Sequence, residues 1–251
     1  MDFGTMTDDQ IIKQFANDVY LTKFNRFIDT LTDATPDEDA IAEVAKVVRW
    51  AAMFCDELEL EKDDDGRTIN WGFLRDNNVD LGTINTVSQT FTMPTTPINY
   101  RRLVADQRRP LTIQFDTSVV ARFGVVEPNQ ITKRSDEATY DRVTQVGRKL
   151  LFSRPFTTNE LTGHLIADAQ RYIPRLTVTD ATMLKTVPYY ELLVLGVAKN
   201  ATLPGIVEGG LSPSLAQKYG DLLDGAKAEN HQTGSADDML YEDFGYIGGV
   251  F

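Results

Sequence analysis

The hydrophobic period of this chain changes after the run Asp63-Asp64-Asp65-Gly66, and that change limits it to a fold that mixes helices with strands. Ahead of the run, Ile12, Phe15, Val19, Leu21, Phe24, Phe27, Ile28 and Leu31 form an amphipathic pattern behind the cap Thr7-Asp8-Asp9-Gln10, which predicts a helix over about 8–31. Thr35-Pro36-Asp37-Glu38 then gives a cap, a first-turn proline and a capping-box Glu, and Ile41, Val44, Val47, Val48, Ala51, Phe54 and Leu58 continue the helix. A short connection makes the two a helical hairpin.

Beyond the run the period falls to two. Thr86–Phe91, Leu111–Phe115 and Val119–Val126 alternate as strands do, with a turn at Asp116-Thr117-Ser118 and a stop at Pro128. Asp63-Asp64-Asp65-Gly66 itself reads as a solvated turn, because the alternating oxygen ligands and closing Glu of a calcium loop do not follow it. Helical patterns return at Ser135-Asp136-Glu137, with Tyr140, Val143, Val146, Leu150 and Leu151, and at Thr157-Thr158-Asn159-Glu160, with Leu161, His164, Leu165, Ala169 and Tyr172. Pro188–Ala198 is apolar on all sides, which implies a buried central helix. Ser212-Pro213 opens a last helix that carries Leu215, Tyr219, Leu222, Leu223 and Ala226 to about Asn230.

The expected fold class is therefore α+β: a mainly α-helical bundle with a central β-rich insertion and an extended C-terminal tail. Its parts are a helical hairpin over 1–62, the insertion over 63–134, helices completing the bundle over 135–231, and a docking tail over 232–251. The tail has the wrong composition for a free linker. Leu240, Tyr241, Phe244, Tyr246, Ile247 and Phe251 stand among glycines and acids at irregular spacing, as anchors for another subunit's groove would. A tail folded back on its own domain is the alternative.

A net charge of −12 argues against general nucleic-acid binding. The distribution is uneven: acids dominate the first quarter and the tail, while the middle carries Arg101, Arg102, Arg108, Arg109, Arg122, Lys133, Arg134, Arg142, Arg148, Lys149 and Arg154. Opposite signs on one chain suit head-to-tail self-association or docking on a charged partner, with ordinary solvated faces as the alternative. No stretch reaches the roughly 18 apolar residues of a membrane span, and the N-terminus lacks the regions of a signal peptide, so no membrane partner is expected.

Catalytic chemistry finds little material. The two histidines, His164 and His231, have no Cys or carboxylate at metal-ligand spacing; His164 reads as a partly buried structural residue in a helix, and Cys55 as a buried small hydrophobe. Nucleophile elbow, phosphate loop and dinucleotide fingerprint are all missing. The expectation is a non-enzymatic protein with no cofactor, metal or catalytic residue. Two alternatives stay open: a non-viral protein-binding module, and a hydrolase using dispersed carboxylates.

Tyr172-Ile173-Pro174, Pro188-Tyr189-Tyr190-Glu191-Leu192-Leu193 and the stretch Leu215 to His231, with Tyr100-Arg101-Arg102-Leu103-Val104, Arg108-Arg109-Pro110-Leu111 and Val125-Val126-Glu127-Pro128-Asn129 between them, give the chain a likeness. It resembles the head-to-tail adaptor (connector or neck) proteins of tailed bacteriophages. The resemblance implies a structural virion subunit of a homo-oligomeric ring, usually a dodecamer, made in the host cytoplasm and placed at the head–tail junction. Such a ring binds the portal protein, offers a docking surface to neck or tail proteins, and surrounds DNA without reading its sequence; on that likeness Arg101, Arg102, Arg108 and Arg109 are candidate contacts to a neighbouring subunit or to DNA in the channel.

Overall fold

The computed structural model describes residues 5–28, 31, 35–64, 66, 68–69, 71–96, 98–104, 110–126, 128–131, 141–202 and 210–243, with the backbone alone for Asn129 and 231–243. The chain divides into two compact units, one of residues 1–73 and 173–233 and one of residues 74–172 and 234–251.

The first unit is helical. Helix α1 (Asp8–Phe24) opens on a reciprocal box: Thr7 Oγ1 accepts from the Gln10 amide and Gln10 Oε1 from the Thr7 amide. It ends earlier than its apolar pattern suggests, because Asn25 turns left-handed at φ 47° and closes on the Leu21 carbonyl. Ile28 and Leu31 are buried all the same, and the Ile28 amide donates to buried Asn17 Oδ1 at 3.0 Å. Helix α2 (Glu38–Leu60) is capped by Asp37, whose carboxylate accepts from the Ala40 amide at 2.7 Å. After the short α3 (Thr182–Thr186) comes α4 (Tyr190–Asn200), in which every residue from Leu192 to Ala198 is buried, as its all-round hydrophobicity predicts. Helix α5 (Pro213–Asp243) closes the chain's described part.

Among the described residues the second unit forms a sheet of eight strands: β1 (Arg75–Thr83), β2 (Thr90–Thr92), β3 (Tyr100–Leu103), β4 (Leu111–Phe115), β5 (Ser118–Val125), β6 (Asp141–Val146), β7 (Lys149–Phe152) and β8 (His164–Arg171). Their order is β1-β8-β4-β5-β6-β7-β2, with β3 beside β8 beyond the end of β4; only β5 and β6 run parallel. The sheet has to curl. Ile84 extends β1 by exchanging backbone hydrogen bonds with Thr162 and Gly163, while Ser88 and Gln89 accept from Phe156 and Phe152 beside β7. Four peptide steps from Ile84 to Ser88 reach about 14 Å, whereas six strand spacings laid flat need about 29 Å.

The curl encloses one apolar core. Leu81, Leu111, Ile113, Phe123, Val143, Leu150, Phe152, Phe156, Leu165, Ala167 and Ala169 all face it. Phe152 stacks between Phe123 and Phe156 with ring centroids 4.9 and 4.6 Å away, and each such ring contributes about 1.5 to 3 kcal/mol through burial. A side chain completes the wall: the Gln145 amide accepts from the Leu103 amide at 2.7 Å and donates to the Arg101 carbonyl at 2.8 Å, so β3 gains on that edge the bonds a further strand would supply.

The expectation of a mainly helical bundle is thus overturned: the residues read as returning helices over 140–151 and 157–172 form β6, β7 and β8. Val143, Leu150 and Phe152 do recur, but by alternation on strands joined at Gly147, φ 59°. The Thr157–Glu160 box is present yet closes only one turn, because Thr162 at φ 68° bends the chain into β8. Gly163 follows there, where a Cβ would lie 2.6 Å from Ile113 Cγ2. The extended tail is corrected over residues 232–243, which continue α5 as helix, while residues 244–251 lie outside the described residues.

Candidate functional site

The polar face of the curled sheet holds the densest arrangement of chemistry-bearing side chains among the described residues. Alternation sends Leu165, Ala167 and Ala169 inward and leaves His164, Ile166, Asp168 and Gln170 on the outside of β8. Cross-strand pairing extends this face in rows: Thr83, His164, Gln114 and Val119 in one, Asp80, Ile166, Thr112 and Arg122 in the next.

Two β-bulges shape β1 along this face, and an aspartate staples each. At the first, Asn78 adopts φ 53° and its amide leaves the ladder; Asp168 Oδ1 accepts it at 2.9 Å while Oδ2 takes Arg75 Nη2 at 3.0 Å. The Asp168 side chain is 1% exposed, so both partners are needed to hold its charge there. At the second, Gly82 stands at φ 119° and donates to Asp80 Oδ1 at 2.8 Å. The other oxygen of Asp80 meets His164 Nδ1 at 2.7 Å. Beside Asp168, Gln170 Oε1 accepts from Arg102 Nε at 2.7 Å.

His164 is therefore not a residue of a helix, as its apolar neighbours suggested, but half-exposed on a strand with its ring oriented by a carboxylate. An oriented imidazole can move a proton at its other nitrogen. The flanking row offers amide and hydroxyl groups, and Gln114 Nε2 is itself engaged with Thr112 Oγ1 at 2.8 Å.

Other polar groupings act as struts. Arg154 grips Glu160 through both terminal nitrogens at 2.9 and 2.6 Å, meets Asp141 at 2.5 Å and lies 5.1 Å over the Phe123 ring. Those Arg154 hydrogen bonds hold the Glu160 carboxyl below the usual carboxylate range. In the helical unit, Arg175 joins Asp56 at 2.6 Å and Glu59 at 3.3 Å, and Glu59 also accepts the Ile173 amide. Burial pushes the nearby Cys55 thiol up to about 11, which removes it from thiolate chemistry near neutrality. Tyr190 donates to Asp18 at 2.6 Å, and burial followed by that carboxylate raises its hydroxyl far above the ordinary value. No grouping of three or more His, Cys, Asp or Glu among the described residues is arranged to hold a metal ion.

Of the contacts expected from sequence, Arg101 occupies the bulge of β3, its carbonyl held by Gln145, and Arg102 lies beside Gln170 on the polar face. Arg108 and Arg109 lie outside the described residues. Leu240 and Tyr241 belong to the backbone of α5, while Phe244, Tyr246, Ile247 and Phe251 lie outside the described residues. Sequence reasoning missed Asp80, Asp168 and Gln145, whose partners are 84, 90 and 42 residues away and leave no local trace. Among the described residues no helix is long and apolar enough to cross a membrane. Compared with known proteins, the chain matches no family model and no curated sequence.

Proposed function

We propose that this protein is a structural ring subunit of the head–tail junction of a tailed bacteriophage, an adaptor that binds the portal and presents a docking surface to neck or tail proteins. One observation carries the reading: the negative charge is concentrated in the helical unit, while the sheet unit is close to neutral and gathers the basic residues of the middle of the chain. Residues 1–73 and 173–233 hold 23 Asp and Glu against 12 Lys and Arg, whereas residues 74–172 and 234–251 hold 14 Asp and Glu against 13 Lys and Arg, four of those acids lying beyond residue 233. A closed ring built from one kind of chain needs two different, mutually complementary surfaces on every copy. An acidic helical unit also repels a DNA backbone, so that DNA slides past without being read.

The test mixes the full chain with purified portal rings and follows the particles by sedimentation and negative-stain imaging. The expected result is an annular layer added to one end of the portal. A chain that stays monomeric at tens of micromolar and never joins a portal overturns the proposal.

A further inference from the structure

We draw no further inference here: the strongest candidate, the exposed face of α2 on which Ile41, Met53 and Leu60 stand among Ala42, Ala45 and Arg49, is an unpartnered surface, and nothing in the structure shows what covers it.

Discussion

Gly196 of α4 lies directly against Phe54 of α2: a Cβ at position 196 would stand 2.2 Å from Cε2 of that ring. The absence of a side chain is what allows the two helices to approach. Gly196→Ala is therefore expected to lower stability by about 1 to 3 kcal/mol despite its better helix propensity. Urea unfolding of the single variants and of Gly196→Ala with Phe54→Leu forms a cycle. Recovery in the double variant locates the strain in this contact; additive losses refute it.

Asp168 separates charge from hydrogen bonding. Asp168→Ala removes both the Arg75 pairing and the acceptor for the Asn78 amide, and is expected to cost about 3 to 5 kcal/mol. Asp168→Asn keeps an acceptor for the bulge and is expected to cost less. Equal losses in denaturant unfolding would mean that the bulge gains nothing from its staple.

The pH dependence has two limbs with different owners. Arg154 holds Glu160 below its ordinary value of 4.5, so its contribution is complete above that value and disappears as pH falls through the lowered folded value. Arg154→Met is expected to flatten this acid limb. On the alkaline side, burial pushes Cys55 to about 11 and Tyr189 and Tyr219 to about 12; their contribution is complete below the ordinary thiol and phenol values and declines as pH rises toward the raised ones. Cys55 in the native protein is expected to resist alkylation at pH 8 and to react at once in denaturant. Rapid modification of the folded chain would contradict its burial.

The last helix provides a functional cut. α5 is anchored before its distal turns: Ala226 is buried, Lys227 pairs with Glu61 at 2.7 Å, and Asn230 Oδ1 accepts the Gly72 amide at 2.6 Å. Ending the chain after Gly234 is expected to leave the melting temperature within a few degrees of the full chain while abolishing co-sedimentation with portal rings. Unchanged co-sedimentation removes the docking role of residues 235–251, and a collapsed melting temperature returns them to their own fold.

Local chemistry was legible in the sequence wherever the structure depends on neighbours within one turn. The Thr7–Gln10 box, the apolar α4, the turn at Gly66 and the β4–β5 hairpin all rest on residues a few positions apart, whose hydrogen bonds and periodicity act before any tertiary contact forms; α2 also starts close to where the sequence places it, but its cap is Asp37 rather than Thr35. The segment 140–172 was decided elsewhere. Its apolar spacing and capping box suit a helix and a strand alike, and the choice fell to partners far away in sequence: β8 is held on one edge by β1 and on the other by β3 and β4. The same holds for His164, Asp168 and Gln145, because a buried or bridging polar group takes its role from the groups that satisfy it: pairing of β1 with β8 brings Asp80 to His164 and Asn78 to Asp168, and the curl of the sheet brings Gln145 of β6 to β3.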